Sequence, residues 1–452
     1  MESSLGAAPG KRRPCQEPRL CHKSGRDHKA KKYQAMATRN PDINRFNKKA
    51  AFFVALAMFA QESVWNFYDA QVPASLRQYI SSAAVIGLLM GVDNLLGIFV
   101  QPWMAHMSDQ HKAKGGNRFR FLLIGAPVAA LLFALIPWAV SFEMLLVAMI
   151  GFAFIANGFK SIAESLTADY QAPNHRSKGN AVARIGVALT ILASAAISFL
   201  VVDRDLRLAF FIPAVLLVIG MYIACRGLSS QVAHRPAQSA DDHAQLNLKE
   251  LVLDVFTSSD KRRLLLLLAV FGANGTWTAI RSQLTPYVME VLELSRGTAG
   301  SIGFPAGIAF LVAAIPVAII ADRTSRAVVC MLGMIIVALG CVAVFFSTST
   351  VQVGAAMALA AVGWAAFAIN AVAILWSIVP NQKYLGTYTG MYWTAAAIGQ
   401  TLMPAVLGLL VDLTAWRYMM LHAAVLSCLS ALLMLKVVRG AAPRPREQAE
   451  GA

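Results

Sequence analysis

The chain has 452 residues, of which 57% are hydrophobic and only 14% are charged. Because soluble proteins carry about 25% charged residues, this composition excludes a soluble domain and indicates a membrane protein with many spanning segments. The formal net charge of +16 does not indicate nucleic-acid binding, since the lysines and arginines concentrate in the tails and in alternate loops, as membrane topology requires.

The first 48 residues form a polar, basic segment without an apolar run. A segment that buries no apolar surface is predicted to be disordered, and this one also lacks the apolar core of a secretory signal peptide. About twelve apolar segments follow, each long enough to cross ~30 Å of hydrocarbon as a helix. The predicted helices are 49–73, 80–106, 119–140, 142–166, 178–202, 207–226, 263–288, 298–320, 327–347, 351–376, 386–411 and 416–438.

These helices predict an all-α membrane protein made of two six-helix bundles. The first bundle occupies 49–226 and the second 263–438, with a polar linker at 227–262 and a short tail at 439–452. The linker could hold a short helix. The Lys and Arg residues place the two tails and the linker in the cytoplasm, and an even number of helices agrees with that orientation.

The two bundles share sequence features at nearly constant offsets. Pro73 and Pro286 end the first and seventh predicted helices, Asp109 and Asp322 end the second and eighth, and both pairs are 213 positions apart. A longer match between the loops after the fourth and tenth helices has an offset of 207. The repeat predicts a duplicated six-helix unit, and transporters built in this way hold their substrate near mid-membrane between the halves.

A short motif begins near the end of the second predicted helix and continues into the loop after it. It runs from Val100-Gln101-Pro102 through Ser108-Asp109 to Gly116-Asn117-Arg118, and Ala168-Asp169-Tyr170 with Arg176 follow the fourth helix. These residues resemble the major facilitator superfamily and, more narrowly, the sucrose–proton symporter family of plants with its animal and bacterial relatives. The resemblance implies a twelve-helix major facilitator fold and proton-coupled transport of a sugar or glycoside by rocking of the two halves.

The chain departs from that family in two places. Asn117 and Phe119 stand where the family has Arg and Pro, and Glu164 lies near the position where plant members carry an arginine linked to sugar and proton coupling. The implied substrate is therefore a sugar or glycoside rather than sucrose in particular. The resemblance also implies that acid–base clusters latch helices at the cytoplasmic face, and the residues expected to form this gate are Asp109, Arg118, Asp169, Arg176, Asp322 and Arg323.

The first predicted helix has a polar face. Glu62, Asn66 and Asp69 recur at i, i+4 and i+7, which places them on one side of the helix. Asp93 lies near the middle of the second helix, at a depth similar to that of Glu62. Charges inside a membrane are costly and indicate function by default, so the two carboxylates are candidates for a proton or substrate site. The alternative is that they only hydrogen-bond the first helix to the second.

The fourth, fifth and seventh helices also carry charges. Lys160 and Glu164 lie four residues apart, and Glu164 falls at the depth of Arg184. We expect these last two to form an ion pair, structural or coupling, because a lone buried charge is costly. Arg281 shares a face with Trp277, and it could bind a substrate rich in acceptors or pair with Asp69 as an outer gate.

Aromatic and amide side chains complete the predicted site. Trp65, Trp277, Trp364, Tyr392 and Trp393 are candidates for stacking on sugar rings, and Asn370 is a polar group in mid-helix. The alternatives are that the aromatic residues anchor the helices at the membrane interface and that Asn370 hydrogen-bonds between helices.

No catalytic, nucleotide-binding or metal-binding motif appears in the chain. We therefore predict a transporter rather than an enzyme, with no cofactor, driven by a proton gradient, with sodium as the alternative ion. The expected partners of this carrier, which is predicted to be a monomer, are a small-molecule substrate, namely a sugar, and the lipid bilayer of the cell membrane. The alternatives are a proton-coupled exporter of drug-like compounds, which a cavity lined by Phe and Met would favour, and a non-transporting membrane sensor.

Overall fold

The computed structural model describes residues 46–113, 116–172, 175–231, 255, 257–258, 260–379 and 385–440. The predicted disordered tail, most of the predicted linker with its short helix, and the C-terminal tail lie outside the described residues. Within the described ranges the chain is helical and contains no strand. This confirms the all-α class that the apolar segments predict.

The helices, in chain order, are α1 (Lys48–Arg77), α2 (Ala83–Ala113), α3 (Phe119–Leu135), α4 (Phe142–Tyr170), α5 (Arg176–Ile197), α6 (Leu206–Ser229), α7 (Arg262–Val291), α8 (Arg296–Ser301), α9 (Gly303–Arg323), α10 (Arg326–Phe346), α11 (Thr350–Ile378), α12 (Leu385–Leu413) and α13 (Met419–Gly440). A π-helical turn at Ser198–Val202 continues α5. Helices α8 and α9 form one interrupted span, so the described chain has 12 spans long and apolar enough to cross a membrane. The predicted number of helices is confirmed.

The prediction that proline ends the first and seventh helices is wrong. Pro73 lies inside α1, which continues to Arg77, and Pro286 lies inside α7, which continues to Val291. Proline removes one backbone hydrogen bond, but membrane helices tolerate this loss where neighbouring groups satisfy the freed carbonyl. The extra turn carries Arg77 and Glu290 beyond the apolar segments, where they meet.

Each half of the chain buries its own core. In the first half Phe67 packs edge-on against Phe133 and Phe210, with ring centroids 6.3 and 5.1 Å apart. In the second half the buried core includes Tyr287 and Phe367. The halves meet along α1 with α7, α2 with α12, and α5 with α9. The space between them is therefore bounded by helices from both halves.

The halves are joined at one end of the molecule. We call the face where α1 begins and α13 ends the terminal face, and the opposite face the distal face. Every inter-half hydrogen bond between described residues lies in the distal half of the spans or in the distal loops. There α2 and α12 approach so closely that a Cβ at Gly87 would lie 2.1 Å from the Pro404 carbonyl oxygen. The distal end is thus closed in this conformation.

Candidate functional site

A central cavity of 190 Å³ lies between the two halves. Its polar side chains include Asn66, Asp69 and Arg281, which hydrogen bonds join into one group. Most of the remaining wall is apolar, made by Ile191, Leu284, Phe310, Met357, Trp277 and Trp364, with several Ala and Gly residues. The cavity therefore suits a molecule with one hydrogen-bonding part and one apolar part.

Arg281, which lines the central cavity, connects the two halves. Its Nη2 donates to Asn66 Oδ1 and to Asp69 Oδ2, each at 3.0 Å. Asn66 in turn donates from Nδ2 to Thr190 Oγ1 at 2.7 Å. The side chains of Arg281 and Asp69 remain 40% and 30% exposed, so both charges are accessible to a ligand in the cavity. Of the polar face predicted for the first helix, Asn66 and Asp69 line this cavity, whereas Glu62 does not.

Lys160 pairs with Glu62, at 3.2 Å between Nζ and Oε1. Gln61 also donates to the Glu62 carboxylate at 3.2 Å. The predicted ion pair between Glu164 and Arg184 is wrong for this conformation: both side chains are exposed, and no ion pair joins them in the described structure. Similar depth along the two helices therefore did not bring these two groups within ion-pair distance.

Asp93 is the mid-membrane carboxylate without a cation. Its Oδ1 accepts a hydrogen bond from Asn94 Nδ2 at 3.0 Å, and its half-buried side chain has no lysine or arginine of the described chain within ion-pair distance. Glu62 and Asp69, by contrast, each have a cationic partner. Of the three carboxylates, Asp93 is the one whose negative charge is least compensated.

The predicted aromatic and amide residues separate into two groups. Trp277 lines the central cavity and stacks on Trp364, with ring centroids 5.3 Å apart and planes 9° from parallel. Trp65, Asn370 and Trp393, which were predicted for the same site, do not line this cavity. The first two are buried and the third is 58% exposed. In this conformation the three residues lie outside the central cavity, and their role in binding stays a prediction.

Packing explains where these three residues lie. Trp65 packs against Phe152, with ring centroids 4.9 Å apart. Asn370 donates back to the carbonyl oxygen of Ala366 at 3.0 Å, so it satisfies its own helix. Trp393 contacts Tyr392 edge-on at 5.1 Å. Each residue is used in local contacts that helical spacing alone does not reveal.

Charges at the terminal face of the first half form one cluster. Asp169 is buried, accepts from Lys112 Nζ at 2.5 Å and lies 3.0 Å from Arg118 Nε. Arg118 also pairs with Asp109, and Arg176 donates to the carbonyl oxygen of Ala168 at 3.3 Å. The cluster ties the end of α2 and the following loop to the end of α4, which is the arrangement expected of a latch within this half.

The second half differs at the corresponding place. Asp322, near the end of α9, pairs with Arg326, the first residue of α10, at 2.7 Å, and not with Arg323. Both partners are largely exposed, with 63% and 45% of the side chains accessible, so this pair is weakly held. Arg326 was not predicted for the gate, and helical spacing could not have found it, because a non-helical break separates α9 from α10 between the two residues.

Two acids at the distal face were also missed. Asp412, at the end of α12, accepts from the backbone nitrogens of Ala83 and Ala84 at 2.7 and 3.0 Å. Asp203, at the end of the α5 span, accepts from Gly297 N at 2.7 Å and from the hydroxyl group of Ser295. Each acid therefore caps the first turn of a helix in the other half, where a negative charge stabilises the unpaired N–H groups.

Arg296 adds further hydrogen bonds between the two halves at the distal face. This side chain donates to Gln71 Oε1 at 2.9 Å, to the Gln71 carbonyl oxygen at 2.6 Å and to Ser75 Oγ at 2.8 Å. We call Asp203, Asp412 and Arg296 the distal seal. In the sequence these residues are the charges that follow or precede apolar segments, which by itself does not distinguish them from ordinary loop charges.

Removing one member of the Glu62–Lys160 pair is expected to destabilise the protein more than removing both. The side chains are 15% and 28% exposed, so the loss lies between the ~0–1 kcal/mol of an exposed pair and the ~3–5 kcal/mol of a broken buried pair. Lys160→Gln should lower the thermal midpoint in detergent by a few degrees, and the double variant Glu62→Gln/Lys160→Gln should recover at least half of the loss. If the two single substitutions lowered the thermal midpoint by amounts that simply add in the double variant, the pairing of Glu62 with Lys160 would be contradicted.

Among the described residues, no group of three His, Cys, Asp or Glu side chains is placed to hold a metal ion. A family model described as MFS/sugar transport protein matches residues 76–414. No curated protein sequence matches the chain.

Solved structures of similar fold include two transporters. A bacterial homologue of the human lysosomal transporter Spinster, in an inward-facing and unoccupied conformation, is 17% identical with a TM-score of 0.68, covering 87% of this chain and 98% of that one. The nucleoside transporter NupG is 13% identical with a TM-score of 0.68, covering 86% and 99% of the two chains. These likenesses show a shared fold over nearly all of the membrane region.

Proposed function

Because the chain belongs to the MFS/sugar transport protein family, we propose that this multi-pass membrane transporter is a proton-coupled symporter of a sugar or glycoside. One observation carries the proposal. The central cavity is lined by the hydrogen-bonding groups Asn66, Asp69 and Arg281 and also by the stacked pair Trp277 and Trp364. Hydroxyl groups of a sugar can pair with such donors and acceptors, and its apolar ring face suits an aromatic wall.

The proton site of this proposal is Asp93. A carboxylate inside the membrane without a cationic partner is the group that gains most from binding a proton, since the neutral form removes an uncompensated charge. Glu62 and Asp69, by contrast, each have a cationic partner, Lys160 and Arg281. We therefore assign proton coupling to Asp93 and substrate contact to Arg281 in the central cavity.

The described conformation fits one step of alternating access. The distal seal joins the halves at one end, and the inter-half bonds of the described residues stop at Arg281. With the termini in the cytoplasm, as the positive charges of the tails and linker favour, this is the inward-facing state. Transport would then require the distal seal to open and the terminal-face helices to approach one another.

An exporter of drug-like compounds is the second candidate function. Phe310, Met357, Ile191 and Leu284 make much of the cavity wall apolar, as the binding of such compounds requires. A glycoside with an apolar substituent would satisfy the same wall. The two candidates therefore differ in the direction of transport and in whether a sugar is needed.

Uptake into proteoliposomes with an inside-alkaline gradient tests the proposal. We would supply radiolabelled sucrose, maltose, glucose and a phenyl glucoside, and collapse the gradient with a protonophore as the control. Accumulation of at least one of these compounds that the protonophore abolishes is the expected result. No uptake of any of them, combined with proton-driven efflux of a dye, would replace the symporter with the exporter.

Removing both helix caps of the distal seal should open the distal face. Replacing a capping acid by Ala costs ~1 kcal/mol, so Asp203→Ala/Asp412→Ala should shift the equilibrium away from the distal-closed state by ~2 kcal/mol, or about 30-fold. The measurement is the distance between spin labels at Val140→Cys and Val351→Cys, which are 87% and 81% exposed, with the six native cysteines replaced.

A matched control is available on α6. Asp205 caps α6 from within its own half, accepting from the backbone nitrogens of Arg207 and Leu208 at 2.8 and 3.1 Å. Asp205→Ala removes a cap of the same kind without touching the other half, so its label distances should match those of the parent. Equal shifts in both variants would mean that the caps act on helix stability and not on the distal seal.

A further inference from the structure

A second cavity, of 350 Å³, lies on the outer flank of the first half. It is formed by α2, α3 and α4 alone and shares no residue with the central cavity. Its walls include Trp103, Met104, Phe121, Ile124, Val128 and Phe154. We call this cavity the flank groove. Trp103 and Ile124 are 55% and 58% exposed, so the groove opens to the surroundings of the helices and not into the protein.

One end of the flank groove is cationic. His111 and Arg120, which flank the loop between α2 and α3, line the groove at the terminal face. The His111 ring stands edge-on to Phe121, with centroids 5.6 Å apart. Arg120 is exposed and has no ion pair with any described residue. Arg118, only two positions away, is by contrast held by two carboxylates.

The dimensions of the groove match one lipid chain. From Arg120 to Val128 the helix α3 advances by ~12 Å, and one leaflet contributes about half of the ~30 Å hydrocarbon thickness. The groove thus begins at the headgroup level of the terminal-face leaflet and runs toward the bilayer centre. Gly158 deepens it, since a Cβ at that position would meet only Met104 and Val100 side chains, at 3.6 Å or more.

We propose that the flank groove binds an anionic phospholipid of the leaflet at the terminal face. One acyl chain lies along Trp103, Ile124 and Val128, and the headgroup phosphate accepts hydrogen bonds from the guanidinium of Arg120. Charge complementarity selects this occupant: a partner helix would fill the apolar part of the groove but would leave Arg120 without an anion at the membrane surface, where anionic lipids gather near basic residues. The proposal does not depend on which substrate is transported.

Native mass spectrometry of the purified protein tests the proposal. The protein is incubated with phosphatidylglycerol or phosphatidylcholine of identical chains, and the lipids retained after detergent removal are counted. We expect one phosphatidylglycerol to be retained at least fivefold more than phosphatidylcholine. Arg120→Gln should abolish this preference, and Gly158→Leu, which fills the groove, should reduce retention of both lipids.

Two variants serve as matched controls. Arg439→Gln removes an exposed arginine at the terminal face of the other half, and Gly151→Leu makes the same change on α4 outside the groove, where a Cβ would lie 3.4 Å from Leu132. Both should retain phosphatidylglycerol as the parent does. Equal retention of the two lipids by the parent, an equal loss in Arg439→Gln, or a dimer in place of the lipid adduct would overturn the proposal.

Discussion

Asp93→Asn is expected to abolish proton-driven accumulation while leaving exchange intact. A permanent amide mimics the protonated carboxyl group but cannot release a proton, so the carrier still moves substrate in both directions without coupling. A gradient of one pH unit stores about 1.4 kcal/mol per proton, enough for tenfold accumulation with one proton per substrate. Accumulation should therefore fall from as much as ~10-fold to ~1-fold, measured as gradient-driven uptake beside counterflow in proteoliposomes.

Glu143→Gln is the matched control for this prediction. Glu143 lies in the first turn of α4 and is exposed at the distal face, so its loss should leave both accumulation and counterflow unchanged. If Asp93→Asn accumulated substrate normally while Glu62→Gln did not, the proton site would have to move to Glu62. Loss of counterflow as well as accumulation would mean that Asp93 holds the structure or the substrate.

Arg281→Gln is expected to weaken substrate binding by at least tenfold. Arg281 is the one cation among the residues lining the central cavity, and a hydrogen bond from a charged group contributes about 1.5–3 kcal/mol, or roughly 10- to 150-fold in affinity. The measurement is equilibrium binding of the transported compound to the purified protein. The double variant Asp69→Asn/Arg281→Gln should regain thermal stability, since no lone charge remains, but not affinity.

Arg77→Gln is the control that shows whether Arg281 contributes to affinity by binding the substrate or only by joining the two halves. Arg77 also pairs across the halves, with Glu290 at 2.9 Å, but it lies at the distal surface and does not line the cavity. The affinity of the Arg77→Gln variant for the substrate should stay within about twofold of that of the parent. An equal loss of affinity in both variants would mean that any inter-half ion pair supports the site, and Arg281 would then be a gate without a role in recognition.

The lining of the central cavity bears on the choice between a sugar and a drug-like compound, which the sequence leaves open. A polar cavity with carboxylates and Trp favours a sugar, whereas Phe and Met favour drug-like compounds. The structure brings both kinds of lining together, because α1 and α7 supply Asn66, Asp69 and Arg281 while α9 and α11 supply Phe310 and Met357. An amphipathic substrate is compatible with this division, and the uptake panel includes a phenyl glucoside for that reason.

Several site residues could be predicted because they depend on helical periodicity within one segment. Glu62, Asn66 and Asp69 share a face at any helix orientation, and a polar face in a membrane must point inward. Trp277 and Arg281 follow the same rule on α7. The partners of these groups could not be predicted in the same way. Depth alone suggested Arg184 for Glu164, but both side chains are exposed and unpaired with each other in the described structure.

The sequence by itself determined the class of the protein, the number of its spans and the polar face of α1, because length, apolarity and 3.6-residue spacing are properties of one segment at a time. The packing of the helices was needed to show which carboxylate is left without a cation, which end of the molecule is closed, and that Asp203 and Asp412 cap helices of the opposite half. Those facts depend on how helices distant in sequence tilt, rotate and approach each other, and on glycines such as Gly87 that permit the approach.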